Sequence, residues 1–66
     1  MAKTKYNTEP LRRERLRRGW TMTALALRLG VTPPVVSRIE SGAVQSPRMI
    51  ARMAAELGVE MARLVK

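Results

Sequence analysis

The side chains able to do chemistry in this chain are its cations. Thirteen lysines and arginines stand against five acidic residues, all glutamate, for a formal charge of +8 in 66 residues. Five of the thirteen fall between Arg12 and Arg18. A chain this small with that balance is drawn to polyanions; the bland alternative is solubility, or a host proteome rich in arginine. What the composition excludes is equally informative. Histidine and cysteine are absent, which removes imidazole bases, thiol nucleophiles, disulfides and the usual soft metal ligands. The glutamates show no paired arrangement suited to acid–base work. No catalytic residues, metal or cofactor are therefore expected, and the remaining chemistry is recognition of an anionic partner.

Such cations need a scaffold. A chain of 66 residues makes one small domain, whose core is marginal without efficient helix packing, a partner subunit or a ligand. The apolar runs are too short to span a bilayer, and residues 1–7 lack the apolar stretch of a secretory signal, so a cytoplasmic, nucleoid-associated location is expected. Residues 1–8 are polar, carry Lys3 and Lys5, and read as a flexible basic arm ahead of a single domain over 9–66.

That domain reads as all-α, a compact bundle of five short helices. Thr8 caps the first, with Glu9 against the helix dipole and Pro10 in the first turn. It runs to about Arg18 and stops at Gly19; Leu11 and Leu16 are its expected inward residues, with Trp20 packing just after the end. Thr21 caps the second helix, where Met22, Leu25, Ala26 and Leu29 fall at i, i+3, i+4 and i+7, and Gly30 ends it. A third helix carries Val36 and Ile39 inward and closes at Gly42. Ser46-Pro47 is a capping serine before a proline at the first helical position, followed by the stripe Ile50, Met53, Ala54 and Leu57 up to Gly58. A last short helix over 60–65 offers Met61 and Leu64.

Two short helices joined by a tight turn at Gly30-Val31-Thr32 form the pattern of a helix-turn-helix, a device for laying one helix in the major groove of DNA. The matching residues extend well beyond that turn: Arg15, Gly19, Thr21, Leu25-Ala26, Leu29-Gly30-Val31-Thr32, Ser37-Arg38-Ile39-Glu40-Ser41-Gly42, Ser46-Pro47 and Leu57-Gly58-Val59. No one of these is specific, but together and at these spacings the chain resembles the Cro and lambda-repressor-like (XRE) helix-turn-helix family over roughly 11–64. Each has a physical reason. Leu25, Ala26, Val36 and Ile39 glue the two helices, small Ala26 lets their backbones approach, Gly30 permits a left-handed turn and Val31 plugs it into the core.

The resemblance implies roles for the rest. Arg15 and Glu40 would form a partly buried, bidentate ion pair joining the first helix to the end of the third. The third helix, 33–41, would enter the major groove and present Pro33, Pro34, Val35, Ser37 and Arg38. Of these Pro34, Val35, Ser37 and Arg38 are the base-reading candidates, Arg38 toward guanine or else a phosphate, Val35 and Pro34 toward apolar groups such as a thymine methyl. Phosphates would be held at the start of the second helix by Thr21, Met22 and Thr23. On the other side Ser41, Gln45, Ser46 and Arg48 sit where the family grips the backbone, and Arg12, Lys3 and Lys5 would add salt-sensitive attraction. Met22 departs from the family, which usually carries glutamine there, so this clamp is weaker or rests on the two threonines.

Two prolines at the tip of the reading helix raise a backbone question. A residue before proline avoids the α region, which predicts Pro33 at the cap and Pro34 as the first helical residue. A tip with few polar groups also predicts modest sequence discrimination, or discrimination through DNA shape.

The resemblance further implies a small bacterial or phage transcriptional regulator, a repressor, bound as a homodimer on half-sites roughly 34 Å apart. With the chain ending at Lys66, the dimer contact is expected within the domain itself, at Met49, Met61, Arg63, Leu64 and Val65. Leu27 is an apolar residue on a face the family usually keeps polar, a partner contact or a harmless exposed leucine. The competing reading is an antitoxin or adaptor whose main role is to bind another protein, such as a toxin. A third, a cationic membrane-active peptide, fits the first helix but not the glycine stops and inward valines.

Overall fold

The computed structural model describes residues 5–65. Four α-helices, α1 (Glu9–Arg17), α2 (Met22–Leu29), α3 (Pro33–Glu40) and α4 (Pro47–Leu57), are followed by one 3-10 turn, Met61–Arg63. The described chain is all-α, but the expected fifth helix is only that turn. Its geometry explains the reduction. Val59 and Leu64 are both buried, and the Leu64 carbonyl accepts the Asn7 N–H at 2.7 Å. With both ends held, the segment between them closes through short-range bonds, Arg63 N–H to Glu60 O and Leu64 N–H to Met61 O.

The core gathers one face from each helix. Leu11 of α1, Leu25, Ala26 and Leu29 of α2, Val36 and Ile39 of α3, and Ile50, Met53, Ala54 and Leu57 of α4 are buried together with Val59 and Leu64. Leu16 is not among them; it is 49 % exposed. The inward face of α1 is Leu11 and Arg15, and a residue directly after Arg15 is rotated by about 100° away from that face. Trp20, Val31 and Met22 pack at the edge of the core.

Three helix ends repeat one device. At Gly30 the backbone is left-handed (φ 72°, ψ 31°), and the Val31 N–H reaches back to Ala26 O at 3.0 Å while Val31 leans on the core. Trp20 N–H to Arg15 O at 3.1 Å and Val59 N–H to Ala54 O at 2.8 Å close α1 and α4 in the same manner. Each is a glycine followed by an apolar residue, which satisfies orphan carbonyls and seals the turn at once.

The start of α3 corrects the expectation for the prolines. Thr32 takes the cap, extended at φ −94° and ψ 155°, and Pro33 is the first helical residue. Extended Thr32 meets the restriction that Pro33 imposes on its predecessor. Two successive rings without N–H cost the first turn nothing in hydrogen bonding, because those donors have no intrahelical partner anyway. Val35 N–H bonds Thr32 O at 3.0 Å, and buried Val36 and Ile39 hold the helix in place. The helix ends at Glu40, with Ser41 as its C-cap.

Thr8 holds the cap position of α1 without capping it. Its hydroxyl donates to Glu40 O at 3.1 Å, and the Asn7 side-chain oxygen accepts the Glu9 N–H instead. Tyr6 forms an isolated antiparallel bridge with Val65. Tyr6, Asn7 and Thr8 are thus hydrogen-bonded into the domain, whereas Lys3 and the rest of 1–4, also assigned to a flexible arm, lie outside the described residues.

The most buried ion pair among the described residues is Arg15 with Glu40. Arg15 Nε donates to Glu40 Oε2 at 2.6 Å and Nη2 to Oε1 at 3.0 Å, and both side chains are buried. The Glu40 hydrogen bonds raise the Arg15 guanidinium above its ordinary value. By contrast Arg28 and Glu56 meet at 3.8 Å with both side chains at least one-third exposed. Glu40→Ala, which strands a buried guanidinium, is expected to cost about 3–5 kcal/mol of unfolding free energy. Glu56→Ala should cost less than about 1 kcal/mol. Chemical denaturation of the two variants checks this, and equal midpoints would rule it out.

Candidate nucleic-acid interface

The candidate interface is built on α3. Burial of Val36, Ile39 and Glu40 fixes one side of the helix against the core, which leaves Pro34, Ser37 and Arg38 exposed on the other. Pro33 and Val35 are half-buried, and Val35 leans on the core. Arg38 makes no ion pair and no side-chain hydrogen bond among the described residues. It stands in the last turn of α3, where its charge also complements the helix dipole.

On one flank lies the start of α2. Thr21 is its N-cap, and its Oγ1 accepts the Ala24 N–H at 3.0 Å. That bond uses an oxygen lone pair and leaves the hydroxyl proton free to donate outward. Thr23 is exposed, while Met22 is half-buried and packed on the core. Met22 therefore contributes packing and a backbone N–H, and the hydroxyls supply the polar side-chain groups of this flank.

The other flank is the loop 41–46 and the start of α4. Ser46 caps α4, accepting the Met49 N–H at 3.3 Å, and Arg48 is exposed with no ion pair among the described residues. Two residues assigned to phosphate contact have other partners. Ser41 Oγ donates to Arg38 O at 3.0 Å and accepts from Ala43 N–H at 3.3 Å. The Gln45 carboxamide accepts the Tyr6 N–H at 2.6 Å and donates to Tyr6 O and Gly42 O, both at 3.3 Å. Gln45 is turned toward Tyr6, whereas Ser41 stays exposed with its hydroxyl bonded within the loop. Arg12 lies near Glu9, 3.7 Å away, with both side chains about half exposed, and remains able to reach an anion.

Several other arginines serve the fold, which the sequence reading missed. Arg18 Nη2 donates to Leu57 O at 2.8 Å and Arg52 Nη2 to Leu29 O at 2.5 Å, so each closes the C-terminus of a neighbouring helix. Arg28 sits 4.0 Å and Arg18 5.2 Å from the Trp20 ring centroid. Arg17 is hydrogen-bonded to Glu14, which raises the guanidinium and holds the Glu14 carboxyl below its usual value. The clustered charge of α1 is thus partly structural. A tryptophan directly after a glycine stop, with arginines two before and eight after it, is a signal for such stacking only once the helices are known to pack.

The dimer candidates also divide. Leu64 is fully buried in the core and cannot carry a contact between subunits. Met49 and Met61 are half-buried, and Arg63 and Val65 are exposed. Leu27 is 77 % exposed. No helix among the described residues is long and apolar enough to cross a membrane.

Comparison with known families finds one match, described as Helix-turn-helix, over residues 11–64. No curated protein and no solved structure matches the chain. The matched span runs from the first core leucine to the last and contains α2, α3 and both flanks. Removing the Thr21 cap by Thr21→Ala is expected to lower stability by about 1 kcal/mol. Thr23→Ala, at an exposed position without that bond, should stay within about 0.5 kcal/mol of the parent. Thermal melts that fail to separate the two would show that Thr21 does not cap.

Proposed function

Since the chain belongs to the Cro and lambda-repressor-like helix-turn-helix family, a family of DNA-binding transcription regulators, we propose that it binds double-stranded DNA by laying α3 in the major groove as a small prokaryotic or phage repressor. The observation that carries this reading is the asymmetry of α3: one side buried in the core, and the other presenting Pro34, Ser37 and Arg38 to solvent. Arg38 is the reading residue of greatest reach. Its planar donors suit the two acceptors of a guanine, and no carboxylate among the described residues competes for them.

The clamps are the hydroxyls and N–H groups at the start of α2 and, on the other side, Ser46 with Arg48 and the N–H groups at the start of α4. They set register on the phosphates while α3 reads bases. Arg12 and Lys5 add attraction that weakens with salt. Pro33 and Pro34 give the helix tip only apolar surface, so discrimination beneath the tip rests on methyl contacts or DNA shape. A twofold homodimer would use Met49, Met61, Arg63 and Val65.

In vitro selection of bound DNA from a random pool tests the reading, since it reports affinity, palindromy and half-site spacing together. Arg38→Ala is expected to weaken binding to the selected sequence by about 1–3 kcal/mol and to relax preference at one base pair per half-site. Arg48→Ala should weaken all sequences alike and make the salt dependence shallower by about one. A chain that enriches no sequence and binds no duplex at low salt would overturn the proposal.

A further inference from the structure

Gln45 lies in the loop that faces the phosphate backbone under the reading above, on which this inference rests, yet its side chain points into the domain. Its carboxamide meets both polar groups of the Tyr6 backbone, accepting the N–H at 2.6 Å and donating to the carbonyl at 3.3 Å. It also donates to Gly42 O, three residues back in its own loop. One side chain therefore makes the contacts that a neighbouring strand would make on one side and closes the loop turn on the other. The segment it holds is itself held. Tyr6 bridges Val65, Asn7 N–H bonds Leu64 O at 2.7 Å, and Thr8 Oγ1 bonds Glu40 O at 3.1 Å. A cleft of about 520 Å³ lies between this segment and the loop, lined by Lys5, Asn7, Ser41 and Ala43 among others, and it is spanned by Gln45 beside the Thr8–Glu40 bond.

We propose that Gln45 is a positioning residue, whose carboxamide clasps Tyr6 to the loop 41–46 and thereby couples the phosphate-facing loop to the C-terminal turn. Under this proposal the loop is preorganised by a contact 39 residues away in sequence. Anything that displaces the C-terminal turn, a second subunit included, changes the grip on DNA without touching it. The phosphates are met by the N–H groups and hydroxyls that the clasp holds in place.

The test is a double-mutant cycle in the full chain, read by DNA affinity across a salt series and by amide hydrogen exchange. Gln45→Met keeps the stem and removes the hydrogen bonds. Tyr6→Pro removes the partnered N–H without altering charge, and Tyr6→Ala controls for the lost ring. Gln45→Met and Tyr6→Pro are each expected to weaken binding by about 3- to 10-fold, with a shallower salt slope. The double variant should be no weaker than either single one, because both break the same link. In the free protein, Gln45→Met should speed exchange at Asn7 and Val44 while Ile50 and Met53 in α4 stay protected. Additive losses in the cycle, or a loss confined to Gln45→Met, would mean that Gln45 touches DNA directly and would overturn the proposal. Unchanged exchange at Asn7 and Val44 would overturn it as well. If the parent chain binds no duplex, the DNA-binding reading fails on that result, and exchange alone decides whether the clasp exists.

Discussion

The Arg15–Glu40 pair is the constraint on which the arrangement depends. Glu40 is the last residue of α3, and the guanidinium that meets it comes from α1. The same guanidinium donates through Nη1 to Trp20 O at 2.7 Å, in the link leading to α2. The Glu40 carbonyl in turn accepts from Thr8 at the start of α1. Three segments, α1, the link to α2 and α3, thus meet at these two residues. A buried pair of this kind contributes little net stability compared with apolar packing, but breaking it is costly. Its consequence is geometric: it fixes the end of α3 against α1, on the helix whose exposed side carries Pro34, Ser37 and Arg38.

The net charge of +8 divides between holding the domain and meeting a partner. Arg15, Arg18 and Arg52 reach carbonyl oxygens of other segments, and Arg28 stacks on Trp20. Arginine suits this work because a delocalised, weakly hydrated guanidinium can lie along apolar surface and still direct donors at a helix end. Lysine in the same places would offer a compact charge without the planar fork. The exposed cations with no ion pair or side-chain hydrogen bond among the described residues are Lys5, Arg13, Arg38, Arg48 and Arg63; of these Arg38 stands on α3 and Arg48 at the start of α4. Total charge therefore overstates the number of cations left for a partner.

The prolines and Gln45 show how neighbouring elements alter local preferences. Pro33 disfavours helix at its predecessor, and Pro34 does the same to Pro33, yet α3 begins at Pro33. Burial of Val36 and Ile39 and the extended cap at Thr32 outweigh the preference at one residue. Gln45 sits in sequence where the family resemblance implies a phosphate contact, and in the fold its carboxamide is bound to Tyr6. In both cases the deciding contact involves an element that the local sequence does not contain.

Much of the scaffold was legible in the sequence, because its signals act over one helical turn. The apolar spacings of α2 and α4, the Ser46-Pro47 start, and the glycine-plus-apolar ends at Gly30-Val31 and Gly58-Val59 all depend on bonds between residues no more than about five apart. The helix-turn-helix pattern follows from those, and its DNA-binding class from the family match over residues 11–64. The inward direction of Leu11 was legible and the outward direction of Leu16 was not, since α1 is too polar for its apolar residues to define a face, and Arg15 takes the inward place. Only the tertiary structure decided which polar groups remain for a partner. That question is settled by contacts between residues 25 to 39 apart in sequence, such as Arg15 with Glu40, Arg18 with Leu57 and Tyr6 with Gln45. A side chain's hydrogen-bonding capacity is a property of its type, whereas whether that capacity is already used depends on which distant segment packing brings beside it.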